Sequence, residues 1–454
     1  MDRASFESEL RSAFSGCDDF TVRHTDSGAE VYFLMMGVDR SYVSENLIRP
    51  LRLAGATRDT IEVLGVTPCE SVQQAVFALL HGCAAVLFPD GECVVCAADR
   101  SAGRSVSQPD TEVTVYGAHN GFVEALDVNL AMIRRSIRIP QLKIEYFTLG
   151  RLTSANVAML YVEGTASKRT VDYVRNTLKE AKLRSALDSG YVANLFDRGT
   201  FAASAKSEKC SRVCARLLDG RIAVIVDGNP FVVTVPYVFT EALQCGEDYI
   251  KSSAYSTFIR ALRFFALLIS LYLPAVFTAA VYSRTRLLPL GLMMSVTDSG
   301  GDVAFGIFGE LVVSLVIFEI VREVGQRMPR AVGDSVGLLA SIILGDAAVK
   351  AGLAGAVAIM IAALSAVCSF AVPAFKDPSV LLRFLLLFAS FALSFTGIAI
   401  VTLAIVSVML MTESCGTPYL TPASPLSLRG LCDMIISLPR RNVQRGDEGI
   451  SEDE

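Results

Sequence analysis

Histidine is nearly absent from this chain: His24, His81 and His119 are the only three in 454 residues. None of them repeats a ligand spacing with the CxxC formed by Cys93 and Cys96 in "GECVVCAAD", so a zinc site lacks its partner ligands. Buried, reduced thiols are the plainer reading of the eleven scattered cysteines. An excess of basic charge is missing too. There are 41 Lys and Arg against 46 Asp and Glu, a net charge of −5, which excludes the electrostatic footprint of a nucleic-acid binder. The first residues, "MDRASFESELRSAF", contain no apolar core of the kind a secretory signal needs, so the soluble part is expected in the cytoplasm. No catalytic triad, paired acids or phosphate loop stands out. An enzyme reading therefore has no chemistry to rest on, and neither a metal nor a cofactor is implied.

Apolar residues, by contrast, are plentiful. They make up 52% of the chain, with a mean hydropathy of +0.46. That is too oily for an ordinary soluble protein and calls for several membrane spans, while the length leaves room for one or two soluble domains.

The first 250 residues look globular and duplicated. "EVYFLMMGVDRSYVSENLIRPL" (30–51) rhymes with "VAMLYVEGTASKRTVDYVRNTL" (157–178). Each is an apolar strand, a glycine (Gly37, Gly164), a polar N-cap region and an amphipathic helix. "CAAVLFPDGECVVCAA" (83–98) rhymes with "RIAVIVDGNPFVVTVP" (221–236), two apolar runs broken by Asp-Gly, a strong hairpin signal. The order and offset repeat, which predicts two related α/β subdomains joined by a helix over 120–137. The glycines read as turn residues. A small-molecule cleft between the subdomains is conceivable, but partner docking or contact between copies fits the missing chemistry better.

Beyond residue 250, four apolar stretches reach or approach spanning length: 264–281, 303–320, 351–375 and 384–412. Pro274 marks a kink in the first. The last, 29 uncharged residues, would be one long, tilted or broken helix with Gly397 as the candidate break. Two shorter pieces, 287–297 and 335–345, suit interfacial or re-entrant segments. Four spans return the chain to its starting side. Lys251, Arg260 and Arg263 precede the first span. Arg322, Arg327, Arg330 and Lys350 lie between the second and third, and Arg429, Arg440, Arg441 and Arg445 follow the last. Against them the outer loops offer Arg284, Arg286, Lys376 and Arg383, so the basic residues place the common side in the cytoplasm. The expected architecture is an α/β cytosolic region of two related subdomains plus an α-helical polytopic membrane domain. Its parts are a first subdomain (1–105), a linker helix region (106–144), a second subdomain (145–250), the membrane domain (251–426) and a cytoplasmic tail (427–454).

Carboxylates inside the oily part need an explanation. Glu310 falls mid-span, where an ionised side chain costs roughly 2.5–3.5 kcal/mol on insertion scales, so it should face protein, water or an ion path. Glu319, Arg322 and Glu323 share one helix face near the cytoplasmic end, as a solvated or paired helix terminus or as a coupling element with Arg330. In "GDSVGLLASIILGDAAVKAG" (333–352), helical spacing puts Asp334, Gly337, Leu338, Ser341, Gly345 and Ala348 on one small, partly polar face. Such a face permits close helix packing. It would equally line a narrow pore, with Asp334 and Asp346 as acidic rings and Leu338 as a constriction. The residues alone leave both readings open.

Several motifs carry a family resemblance by their order and spacing. The linker has "QPDTE" (108–112), "NLAMIRRSIRIP" (129–140) and "LGRLT" (149–153); the second subdomain has "YVEGTA" (161–166) and "DGRIAVIVDGNPF" (219–231). The membrane part has "FIRALRFFA" (258–266), "FEIVREVGQRMPRAVG" (318–333), "CSFAVP" (368–373) and "GTPYLTPASP" (416–425). With these, the chain resembles the A subunit of spore germinant receptors, the GerA family, which includes SpoVAF-type paralogues. The resemblance implies a multi-pass protein of the spore inner membrane with its soluble region and C-terminus in the cytoplasm. It implies as partners a transporter-like B subunit and a lipoprotein C subunit. It further implies a homo-oligomeric ring, proposed as a pentamer, that passes monovalent cations when a nutrient binds. On that footing Glu310, Asp334, Leu338, Ser341, Gly345 and Asp346 become the candidate ion pathway. The alternatives are a non-conducting scaffold or auxiliary subunit and, last, a secondary transporter.

Overall fold

The computed structural model describes residues 3–54, 61, 65–98, 120–197, 199–249, 251–283, 291, 294, 306–327 and 345–424. The chain divides into two compact units. The first takes residues up to Val238 together with Glu413–Pro422; the second takes Phe239–Thr412.

The first unit holds the duplication. One five-stranded sheet is built from β1 (Phe20–His24), β2 (Glu30–Leu34), β3 (Thr67–Pro68), β4 (Cys83–Leu87) and β5 (Cys93–Ala97), in the order β1-β2-β4-β5-β3. The other uses β6 (Leu142–Leu149), β7 (Ala155–Val162), β8 (Ala205–Ser207), β9 (Ile222–Val226) and β10 (Val232–Val235), in the order β6-β7-β9-β10-β8. The two orders agree strand for strand, and every pairing is antiparallel. Asp90-Gly91 and Asp227-Gly228 turn the matching hairpins β4–β5 and β9–β10, with glycine φ of 86° and 85° that a side chain would strain.

Each sheet buries both faces, which is why its strands read as continuous apolar runs. In the first sheet Leu34, Leu87, Cys93 and Val95 pack with α1 (Arg3–Ala13). The opposite face, with Val31, Val86, Val94 and Cys96, packs with α2 (Arg40–Val43) and α3 (Arg49–Ala54). On the α1 side also lies α4 (Val72–Leu80), which presents Ala75 and Leu79. In the second sheet α5 (Leu126–Ser136) covers one face, and α6 (Lys168–Glu180) and α7 (Ser189–Phe196) cover the other. With α5 packs α8 (Cys210–Leu218). Short polar side chains open the helices: Asp39 accepts from the Ser41 and Tyr42 amides, Ser71 from Gln74 and Asp188 from Gly190. The linker helix starts at Leu126, later than the periodicity suggests. The Asn129 carboxamide bonds both backbone groups of Val123, holding 120–125 as a non-helical lead-in. A buried ion pair fastens the subdomains together. Arg134 Nη2 lies 2.8 Å from Asp19 Oδ1, and its Nη1 donates to the Leu142 carbonyl at 2.9 Å.

Residues 413–422 also belong to this unit. They form β11 (Glu413–Ser414) and β12 (Thr417–Pro418), Cys415 joins the core of the second sheet, and Tyr419 stacks on Phe201. Ser414 Oγ accepts from the Tyr237 amide at 3.0 Å and donates to the Ala203 carbonyl. The residues before and after the helical unit are thus bonded to each other in one α/β fold.

The second unit is helical: α9 (Phe239–Leu243), α10 (Ser253–Tyr282), α11 (Ile307–Arg327), α12 (Ala356–Ser369) and α13 (Lys376–Met411). Among the described residues two helices are long and apolar enough to cross a membrane, α10 and the one running through α13. Outward side chains are oily, Phe265 and Leu403 among them. The long last helix does break, but at Ser394 (φ 56°, ψ −137°) and not at Gly397. Gly397 serves the break differently: a Cβ there would sit 2.1 Å from the Ala389 carbonyl oxygen. In an unbroken helix residues eight apart lie about 12 Å from each other along the axis, so the chain has turned back on itself. One basic residue assigned above to an outer loop is relocated: Arg383 is buried within α13. Arg260 and Arg263, which precede the apolar stretch 264–281, lie in the first turns of α10. The short apolar pieces 287–297 and 335–345 fall almost entirely outside the described residues.

Candidate functional site

Pro274 organises the polar centre of the helical unit. A proline inside a helix has no N–H to give to the carbonyl four residues earlier, so the Ser270 carbonyl is released. Two neighbours satisfy it: Ser365 Oγ from α12 at 2.8 Å and Arg383 Nε from α13 at 2.9 Å. Arg383 also faces Glu319 of α11, Nη1 to Oε1 at 3.6 Å, and Glu319 in turn pairs with Arg322 at 2.6 Å. Four helices therefore converge on one carbonyl and one carboxylate. Among the described residues the cluster sets two guanidinium groups against one carboxylate. Arg383 Nη2 and Arg322 Nε make no hydrogen bond among the described residues.

A second polar knot stands before α10. Asp248 is buried and receives Arg263 through Nη1 at 2.6 Å and Nη2 at 2.9 Å, and Arg260 through Nε at 3.3 Å. Its backbone carbonyl accepts Ser256 Oγ, and Arg263 also reaches the Leu243 carbonyl. The first turns of α10 are thereby fixed to the segment that leads into it.

Of the sequence-predicted residues, Glu310 is only 4% exposed. Its Oε2 accepts from the Gly355 amide at 2.8 Å, at the start of α12, where the helix dipole favours a negative charge. Glu319 and Arg322 come together as an i,i+3 pair, whereas Glu323 turns to Arg327 at 2.7 Å. Asp346 is exposed and pairs with Lys350 at 2.5 Å; Gly345 precedes it in the same helical segment. Asp334, Leu338, Ser341 and Arg330 lie outside the described residues. Sequence reasoning missed Ser270, Ser365, Arg383 and Asp248. The signal for the first was present, because Pro274 announces a free carbonyl at 270.

In the α/β unit, Cys93 and Cys96 point into opposite cores, as residues three apart on a strand must, so the CxxC cannot close on one ion. Among the described residues no three His, Cys, Asp or Glu side chains gather to hold a metal. An open apolar groove of about 360 Å³ runs between α1 and α4, lined by Ala13, Val72, Val76, Phe77 and Leu80 with Glu9 and Gln73. It lacks the convergent polar groups of a small-molecule site.

Known proteins give this architecture a context. The profile of the Bacillus/Clostridium GerA spore germination protein matches residues 8–448. Spore germination protein KA of Bacillus subtilis (strain 168) is 31% identical over 98% of this chain and 86% of its own length. The uncharacterized membrane protein YfkQ of the same organism is 30% identical over 93% of this chain and 86% of its own. Spore germination protein A1, also from that organism, is 29% identical over 84% of this chain and 80% of its own. Among solved structures, the N-terminal domain of the A subunit of the Bacillus megaterium spore germinant receptor GerK3 covers 51% of this chain and 94% of that one, at 23% identity and a TM-score of 0.39. With a profile match spanning nearly its whole length, the chain belongs to the GerA family of spore germination proteins.

Proposed function

We propose that this chain is a receptor A subunit that sits in the spore inner membrane as a multi-pass protein and assembles with copies of itself into a ring, a pentamer in the simplest version, that conducts monovalent cations when a nutrient is sensed. A transporter-like B subunit and a lipoprotein C subunit would complete the receptor. The observation that carries the placement of the ion route is the buried cluster at Ser270. Among the described residues two guanidinium groups face one carboxylate, with Arg383 buried and Arg322 and Glu319 mostly buried, which leaves excess positive charge inside a single helical unit where a low dielectric strengthens its field. Cations would avoid such a path, so the conduit is assigned between copies. The stretch 333–352 would border it, with Asp334, Leu338, Ser341, Gly345 and Asp346 facing water.

Topology supports the multi-pass reading. The α/β fold holds residues on both sides of 239–412, bonded through Tyr237 and Ser414. A folded domain stays on one face of a bilayer, so the chain between crosses an even number of times. The break at Ser394 divides α13 into arms 376–393 and 395–411, each about 25 Å long and near spanning length. With α12, 14 residues long, too short to cross, α10, α11 and the two arms make the even number. The basic residues that flank the helices, Lys251, Arg327 and Lys350, favour the cytoplasm for that common face.

A second reading, a non-conducting scaffold or auxiliary subunit, is favoured by the engagement of Glu310 with Gly355 and of Asp346 with Lys350. Cation flux through liposomes holding the purified chain decides between them. A channel loses flux several-fold in the Asp334→Asn, Asp346→Asn double variant, and Ser341→Cys reacts with a water-soluble thiol reagent. A scaffold shows no flux in either form, and the thiol introduced at position 341 never reacts.

A further inference from the structure

One pair of opposed thiols in the first sheet is not used by the receptor reading. β3 and β5 pair antiparallel with Thr67 opposite Val95 and Pro68 opposite Val94. The next step of that register sets Cys69 opposite Cys93, and the Cys69 amide donates to the Cys93 carbonyl at 2.8 Å. Both thiols enter the same core, the α1/α4 side of the first sheet. Directly opposed residues on neighbouring antiparallel strands have Cβ atoms about 4.5–5.5 Å apart and Cα atoms about 4.5–5.5 Å apart. A disulfide asks for Cα atoms about 4.4–6.8 Å and Cβ atoms about 3.5–4.5 Å apart, so a small closure suffices.

We propose that Cys69 and Cys93 form a reversible, hydroperoxide-sensitive dithiol, a covalent modification site that staples the edge strand β3 to the first sheet. The Cys69 thiolate attacks one oxygen of the peroxide. An S–O bond forms, the O–O bond breaks, and hydroxide leaves to be protonated to water, giving a sulfenic acid. The Cys93 thiolate then attacks the Cys69 sulfur. An S–S bond forms, the S–O bond breaks, and a second water leaves. Two thiols lose two electrons in total and hydrogen peroxide becomes two waters.

Burial governs the rate. Cys93 is 2% exposed and Cys69 5%, and burial, followed by the neighbouring Cys69, pushes the Cys93 thiol well above its ordinary range. The packed site is therefore slow to react. Access comes from β3, a two-residue edge strand with both residues exposed, whose local opening uncovers the pair. Cys69 donates to the Ser71 carbonyl at 3.2 Å, so the packed thiol is held and its release tracks the same opening. Another close pair offers a competitor, Cys210 and Cys214, with sulfurs 3.8 Å apart within α8.

The test uses the purified full-length chain in detergent, treated with a small excess of hydrogen peroxide and mapped by mass spectrometry. The expected result is a peptide pair linked through Cys69 and Cys93 that dithiothreitol releases. With it should come an upward shift in melting temperature that the Cys69→Ser and Cys93→Ala variants do not show. Sulfinic or sulfonic acid at these positions without the linked peptide, or a link at Cys210–Cys214 in its place, overturns the proposal. The map is read on the unaltered chain, so it stands even if a variant folds poorly. Its outcome is independent of ion flux.

Discussion

Arg383 shows how much one side chain can connect. It satisfies the carbonyl that Pro274 frees, and it faces Glu319 across the helix interface. Sequence position suggested a loop cation, because an apolar run begins just after it and buried arginine is uncommon. Nothing local to residue 383 reveals a partner 113 positions away. Glu145 poses a comparable balance outside the membrane part. Burial would raise its carboxyl, but hydrogen bonds from Arg175 and Tyr161 outweigh that and hold it below the ordinary carboxylate range. A depressed folded value contributes stability at pH above the unfolded value of about 4.3. That contribution fades as pH falls through the folded value. The melting temperature of wild type should therefore drop on acidification below about pH 4, and Glu145→Gln should show a shallower acid limb. Thermal unfolding followed across the acidic range checks this, and identical limbs would refute it.

At the scale of elements, α13 is the informative case. Its 36 residues contain no proline beyond Asp377-Pro378 at the start and no charge after Arg383, so composition signals a helix without a stop. Gly397 looked like the weak point because glycine lowers helix propensity. The fold instead uses its missing side chain for close approach to Ala389, while Ser394 takes the unusual dihedral angles. Gly397→Ala places a methyl group against a backbone oxygen that cannot swing aside. A destabilisation of about 1–3 kcal/mol follows, read as a lowered melting temperature of the detergent-solubilised chain. Truncating the exposed Leu393 nearby, as Leu393→Ala, should leave that temperature nearly unchanged. In the α/β unit local signals did better. Asp-Gly turns and capping residues Asp39 and Ser71 act within a few residues, so the sequence displays them directly. The linker helix was over-extended at its start because Asn129, whose carboxamide holds the non-helical lead-in at Val123, looks like any polar residue of an amphipathic face.

Across the whole molecule the decisive feature is the return of 413–422 to the α/β unit. Composition placed this stretch with the helices, and only its packing onto Phe201, Ala203 and Tyr237 assigns it elsewhere. Under the proposed topology it makes the number of crossings even, and the turned α13 then puts its apex on the far face. In a background without accessible thiols, Leu393→Cys should react with a membrane-impermeant maleimide only from the side opposite to that which labels Lys182→Cys. Labelling of both from one side would rule out that topology. At the other connection Asp248 pairs with Arg260 and Arg263 inside the helical unit, which fixes the segment before α10 to that helix.

The sequence by itself determined the duplicated α/β architecture, the oily helical half and the family, since hydrophobic periodicity, turn chemistry and ordered motifs are all written along neighbouring residues. Tertiary structure alone decided where the buried charges find partners, where α13 turns and which unit claims the residues after it. Those outcomes depend on side chains that meet only after folding, across separations of up to 211 residues, and no local pattern encodes which carbonyl a distant arginine or serine will reach.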